Sequence, residues 1–201
     1  YSCAVPVMTA RALRIPAVLF EANAVPGRTV RALAPLVNGV ELQCSRAAEV
    51  LHSSRCDCGG LPVRPSLFGV NAAAAARRLG LDPRSPVLAV TGGSQGALAI
   101  NMVLLEALQR LQESPGALPH GLQVLHIVGP GNIDHSLSGL STEGIRYRAF
   151  GFVRRMGDVY AAADFVLGRA GGSTLAELLA LGIPSVLVPY PHATGRHQHA
   201  N

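Results

Sequence analysis

Lysine is missing from all 201 positions, so every one of the 17 basic side chains is an arginine, set against 12 acidic ones for a formal charge of +5. Such a surplus fits nucleic acid, an anionic membrane surface or a bias in coding. Aromatic residues are scarce, at 4%, and no arginine cluster is interleaved with them. The stacking surfaces of a nucleic-acid binder are therefore lacking, and no nucleic-acid partner is expected. Only four cysteines occur, Cys3, Cys44, Cys56 and Cys58. They offer one C-x-C pair and no second pair at zinc-finger spacing, which argues against a metal ribbon. Without a secretory signal, reduced structural thiols are expected. No uninterrupted apolar run reaches the ~18–20 residues that cross a bilayer, so a soluble or peripheral protein is expected. His192, His197 and His199 lie close together, but no carboxylate or cysteine accompanies them at ligand spacing, and no metal or other cofactor is expected.

Hydrophobic residues are plentiful, at 49%, enough for a sizeable core. The most informative stretch is Gly168-Arg169-Ala170-Gly171-Gly172-Ser173-Thr174-Leu175-Ala176-Glu177, a glycine turn between an apolar run and a helical one. Its glycines let backbone approach a ligand, Ser173 is the expected helix cap, and a helix start favours an anion. Glu177, one turn further in, is placed to accept hydrogen bonds from two neighbouring hydroxyls, as a ribose presents them. Phosphate plus ribose points to a nucleotide; a tight strand-to-helix turn with a solvated glutamate is the alternative.

Short apolar runs alternate with helical periodicity along the chain. Strands are expected at 16–20, 39–43, 87–90, 122–128, 145–149, 164–167 and 185–188. Helices are expected over 29–36, 45–51, 72–79, 156–163 and 174–181, one ending near Leu13 and another carrying Ile100, Leu104, Leu108 and Leu111. This alternation predicts an α/β fold with doubly wound parallel sheets, whose ligands sit beyond the carboxyl ends of the strands. Thr91-Gly92-Gly93-Ser94-Gln95-Gly96 forms a second glycine turn after a strand. Neither turn fits G-x-G-x-x-G, which disfavours a nicotinamide dinucleotide. The turn-rich Gly59-Gly60-Leu61-Pro62-Val63-Arg64-Pro65 marks the expected boundary between two domains, 1–64 and 65–201. Glu106, Glu113 and Asp158 are expected to be solvated helix charges. Ser94 and Ser173 lack the G-x-S-x-G elbow of a hydrolase nucleophile. The chain opens without an initiator Met and stops within an expected helix that begins near His197, so it is expected to be a piece of a longer protein.

Several separated motifs together carry a resemblance: Glu21-Ala22-Asn23-Ala24-Val25-Pro26-Gly27, Gly60-Leu61-Pro62-Val63-Arg64, Gly92-Gly93-Ser94-Gln95-Gly96-Ala97, Arg169 to Glu177, and Pro189-Tyr190-Pro191-His192 running on to Gln198 and Asn201. In these the chain resembles, over essentially its whole length, the MurG family of bacterial peptidoglycan N-acetylglucosaminyltransferases. The resemblance implies two Rossmann-like domains of the GT-B type, both incomplete here: the end of an acceptor-side domain over 1–64 and most of a UDP-GlcNAc-binding domain over 65–201. It implies inverting transfer of GlcNAc from UDP-GlcNAc to undecaprenyl-pyrophosphoryl-MurNAc-pentapeptide at the cytoplasmic face of the membrane, with the acceptor loop and the catalytic base outside this chain. By the same resemblance Glu177 holds the ribose hydroxyls, and Gly172, Ser173, Thr174, Leu175 and Ala176 approach the diphosphate and ribose. Val153 offers backbone to uracil, Ser94 meets the phosphates, and Gln198 reads hydroxyls of the GlcNAc ring. Asn23 and Arg64 take donor-cleft positions, Arg64 countering negative charge on the departing UDP. The family commonly has His-Glu-Gln-Asn where this chain has Phe20-Glu21-Ala22-Asn23, which leaves open how Asn23 is held. A diacylglycerol glycosyltransferase and a non-catalytic nucleotide-binding module are the rival readings.

Overall fold

A computed structural model describes residues 3–51, 55–112, 119–132, 145–192 and 197–201 of the chain. It divides into two compact units, one formed by residues up to Val63 with Ala170–Ala176 and Pro189–Asn201, the other by Arg64–Arg169 with Glu177–Val188.

The first unit holds a parallel sheet of β1 (Val18–Glu21), β2 (Gly39–Leu42) and β3 (Cys56–Asp57) in that spatial order. Helices α1 (Ala4–Ala12), α2 (Arg28–Leu33) and α3 (Arg46–Leu51) surround it. The periodicity predicts one helix over 29–36, but α2 stops at Leu33 and a 3-10 turn takes Ala34–Leu36. Pro35 has no N–H to donate and its ring crowds the preceding turn. On β1, Leu19 and Glu21 are buried while Val18 and Phe20 are exposed. Leu19, Val40 and Leu42 from the sheet pack with Val7, Leu33, Val37 and Ala47 into the core of this unit.

The second unit is built on β4 (Val87–Thr91), β5 (Gln123–Ile127), β6 (Arg146–Phe150), β7 (Phe165–Arg169) and β8 (Ser185–Val188), all parallel in the order β6-β5-β4-β7-β8. The chain starts in the middle of the sheet, winds outward through β5 and β6, and returns to the other side of β4. That reversal between β4 and β7 is where open α/β sheets take ligands. Helix α5 (Leu98–Gln112) lays Ile100, Leu104 and Leu108 on Val90, Val124, Leu122 and Ile145, each such leucine contributing about 1.5–3 kcal/mol of burial. Helix α4 (Ala72–Arg78) is capped by Asn71, whose Oδ1 accepts from the Ala74 N–H at 2.9 Å. Helices α6 (Met156–Ala162), α7 (Gly172–Leu181) and α8 (His197–Ala200) complete the order.

One charge departs from expectation. Asp158 is 5% exposed instead of solvated: the Arg78 guanidinium meets it at 2.6 and 3.2 Å and Arg155 Nε at 3.2 Å. That pairing stitches α4 to α6, and the Arg78 hydrogen bonds hold the carboxyl below its usual range. Glu106 behaves as expected, exposed and paired with Arg110 one turn on, while Glu113 lies outside the described residues. All four cysteines are free thiols. Among the described residues no helix is long and apolar enough to cross a membrane, and no group of three or more His, Cys, Asp or Glu could hold a metal ion.

Candidate functional site

In the first unit the loop after β1 is folded around a buried carboxylate. Glu21 ends the strand with 5% exposure. Its Oε1 accepts from the Asn23 N–H and from Asn23 Nδ2, each at 2.9 Å, and its Oε2 from the Gly27 N–H at 3.1 Å. Three donors on one carboxylate fix both backbone and side chain of Asn23. Asn201 completes the arrangement: its Oδ1 accepts from the Ala24 N–H at 2.9 Å, and its Nδ2 donates to Asn23 Oδ1 at 3.3 Å and to the Ala170 carbonyl at 3.1 Å. Asn23 is thus held without polar groups at positions 20 and 22.

The same unit contains the start of α7. A Cβ on Gly172 would lie 2.5 Å from the Ala22 carbonyl oxygen, so only glycine allows the helix to begin this close to the β1 loop. Gln43 ties the two from below, donating from Nε2 to the Gly172 carbonyl at 2.9 Å and from its backbone N–H to the Glu21 carbonyl at 3.0 Å. The helix opens earlier than the sequence predicts. Leu175 N–H reaches the Gly171 carbonyl at 2.9 Å, so Gly171 takes the capping place and Ser173 stands exposed inside the first turn. Thr174 and Leu175 are half-buried and Ala176 is buried. Gln198, on α8, accepts at Oε1 from the Tyr190 N–H at 2.8 Å, which leaves its NH2 as the group able to donate to a ligand.

In the second unit Glu177 receives a donor on each oxygen. Arg64 Nη2 lies 3.0 Å from Oε1, and the Tyr160 hydroxyl donates to Oε2 at 2.9 Å. These partners differ in kind: the Arg64 side chain is 55% exposed, whereas Tyr160 is 4% exposed. Burial, reinforced by the Glu177 charge, raises the Tyr160 phenol far above its ordinary range, so it stays a donor. Ser94 is exposed in the turn after β4, and Val153 is half-buried in the loop after β6; the two strands are parallel, so both loops leave the same edge of the sheet.

Beneath the Ser94 turn lies a buried polar chain that motif reading missed. A side chain on Gly96 (φ +76°) would strike the Val128 carbonyl, so this turn packs directly on the end of β5. The Val128 carbonyl accepts from Asn101 Nδ2 at 2.9 Å. Asn101 Oδ1 is then free to accept from His126 Nε2 at 2.9 Å, and the Tyr147 hydroxyl lies 2.6 Å from His126 Nδ1. That sequence assigns the proton of His126 to Nε2 and makes Tyr147 the donor to Nδ1. His126 is fully buried, and burial pushes its pKa down to about 4, so the ring is neutral. Tyr160 and His126 share one reason for being overlooked: each acts through partners at least 17 residues away in sequence, which no local spacing reveals.

A helix start approached by backbone, a carboxylate one turn inside it, an exposed arginine on that carboxylate and a glycine turn after β4 are the parts from which a nucleotide-sugar transferase domain of the Rossmann-like type is built. Solved structures agree on that class. The chain superposes on Acinetobacter baumannii MurG with a TM-score of 0.72 and 25% identity, covering 100% of this chain and 53% of that one. It shares its fold alone with CalG4, the calicheamicin glycosyltransferase, at a TM-score of 0.57 and 16% identity over 96% of this chain and 55% of that one.

The glycosyltransferase family 28 C-terminal domain matches residues 87–201, and the chain belongs to glycosyltransferase family 28. It is 39% identical over 204 residues to the "UDP-N-acetylglucosamine--N-acetylmuramyl-(pentapeptide) pyrophosphoryl-undecaprenol N-acetylglucosamine transferase" of Moorella thermoacetica, covering 98% of this chain and 54% of that protein. To the transferase of the same name from Paenarthrobacter aurescens it is 40% identical over 201 residues, 97% of this chain and 51% of that protein. The chain therefore spans about half the length of the curated relatives it matches.

Proposed function

We propose that this chain is the donor-binding portion of an inverting N-acetylglucosaminyltransferase that moves GlcNAc from UDP-GlcNAc to undecaprenyl-pyrophosphoryl-MurNAc-pentapeptide. The observation that carries the reading is Glu177, one turn inside a helix that starts on Gly172 and paired with the exposed Arg64. In this reading the helix start faces the diphosphate, Ser94 and the turn around it add contacts to the phosphates, and Val153 presents backbone to uracil. Gln198 donates to the sugar, and the Glu177 carboxylate accepts from the ribose. The acceptor hydroxyl attacks the anomeric carbon as the bond to UDP breaks, its proton passing to a base outside this chain, while the helix dipole and Arg64 stabilise the negative charge left on UDP. The names of the relatives support the choice of donor and acceptor.

The test is calorimetric titration of the full-length protein with UDP-GlcNAc, UDP-GalNAc and GDP-mannose, in the parent and in Glu177→Ala. UDP-GlcNAc should bind best, and the substitution should weaken UDP and UDP-GlcNAc alike by about 1.5–3 kcal/mol, the range for a hydrogen bond to a charge. Undiminished UDP affinity in Glu177→Ala would remove the ribose role.

An anionic membrane surface, at the cytoplasmic face, is the second proposed partner. Its support is α1 and the turn after it, where Val5, Met8, Leu13 and Ile15 are exposed beside Arg11 and Arg14, the mixture that suits an interfacial helix. Sedimentation with vesicles of anionic lipid should retain the protein and release it at high salt; equal retention on neutral vesicles would refute the electrostatic part.

A further inference from the structure

Tyr160 belongs to none of the motifs that carry the family resemblance, yet it makes the most constrained contact in the second unit's site. Its ring is buried on α6 at 4% exposure, and its hydroxyl meets Glu177 Oε2 at 2.9 Å. The other oxygen meets Arg64 at 3.0 Å. A glutamate side chain on a helix surface samples several rotamers, and losing that freedom opposes binding. A donor fixed in the core removes it beforehand.

We propose that Tyr160 is a positioning residue that aims the Glu177 carboxylate at the two ribose hydroxyls of the donor, and that Arg64 occupies the diol's place until the nucleotide arrives. This rests on the reading of Glu177 as the ribose acceptor. A carboxylate offers about four lone-pair sites, and Tyr160 uses one on Oε2. The Arg64 guanidinium uses Oε1, and its side chain, at 55% exposure, can withdraw into water at little cost because exposed ion pairs are weak. Withdrawal opens Oε1 to one hydroxyl while Oε2, still pinned by Tyr160, has a lone pair for the other. The guanidinium so released is available to the negative charge of the diphosphate. Because burial holds the phenol protonated, the pin persists across the neutral pH range.

The experiment compares UDP with 2′-deoxy-UDP in the full-length protein. The parent should bind UDP about tenfold tighter or more, the value of one hydrogen bond to a charged group. In Tyr160→Phe that ratio should fall towards one, because UDP, which offers Glu177 two hydroxyls, loses more than 2′-deoxy-UDP, which keeps only the 3′-hydroxyl. In a Glu177→Ala background the same substitution should add no further loss. A ratio unchanged in Tyr160→Phe overturns the proposal, as does a parallel loss of both nucleotides that persists in the Glu177→Ala background, which would mark a structural role. A parent that does not discriminate the two nucleotides overturns the ribose reading of Glu177 itself, and with it this proposal.

Discussion

Glu21 and Glu177 are both carboxylates within the motifs that carry the family resemblance, one in the loop that ends at Gly27 and the other one turn after Gly171-Gly172. Their surroundings separate them. Glu21 is consumed by its own loop, with three N–H donors from Asn23 and Gly27 on its two oxygens and 5% exposure. Glu177 has one permanent donor, the buried Tyr160 hydroxyl, and one exposed donor, Arg64. A carboxylate saturated by the backbone that surrounds it shapes a loop. A carboxylate held by a removable cation can exchange that partner for a substrate. The useful question about a polar side chain near a site is therefore which of its partners can leave.

The largest effect that follows is on stability. Glu21→Ala strands the Asn23 N–H, the Asn23 amide and the Gly27 N–H, and the 21–27 loop loses what folds it. Unfolding by urea should show a loss of about 3 kcal/mol, allowing for partial rescue by water of groups worth 1–3 kcal/mol each. A loss below about 0.5 kcal/mol would place Glu21 in the same class as an exposed ion pair and dissolve the contrast.

Gln198 is an intermediate case. Its Oε1 accepts from the Tyr190 N–H at 2.8 Å, which orients its NH2 group to donate to a ligand. Gln198→Ala should lower turnover and narrow the preference for UDP-GlcNAc over other UDP-sugars by about tenfold, while UDP itself binds nearly as before. Competition assays with UDP and with UDP-sugars separate the two; an equal loss for UDP would move Gln198 away from the sugar.

How far these roles can be read from sequence depends on the range of the interaction behind them. The strands of the second sheet are legible because buried parallel strands are short continuous apolar runs, as in Val87–Thr91. Gln123–Ile127 is fully buried although it includes Gln123 and His126, and only its apolar flanks betray it. The strand Cys56–Asp57 is two residues long, too short for any period to register. Asp158 reads as solvated because its partner Arg78 stands 80 residues away, and the Arg64–Glu177 pair spans 113 residues. Ser173 fits the capping preference, yet Gly171 displaces it because Gly172 must sit against Ala22. Motifs thus locate the ligand-facing residues one by one, while the partners that hold them belong to the fold.

The smallest expected effect concerns Arg64, and it is the sharpest test of the contrast. The guanidinium is 55% exposed and bonded at 3.0 Å to a carboxylate that is itself 14% exposed, the setting in which ion pairs contribute about 0–1 kcal/mol. Arg64→Ala should therefore leave urea stability within about 1 kcal/mol of the parent. Binding of UDP should also change little, within about threefold, because the ribose no longer competes with a cation for Oε1 while the diphosphate loses one. Turnover should fall more than binding, since charge on UDP grows only as the glycosidic bond breaks, and a group that serves that charge acts on kcat before it acts on affinity. Measuring stability, UDP affinity and kcat on the one variant decides the matter. A stability loss of several kcal/mol would make Arg64 a structural partner like those of Glu21, and Glu177 would then be no freer to exchange its donor than Glu21 is.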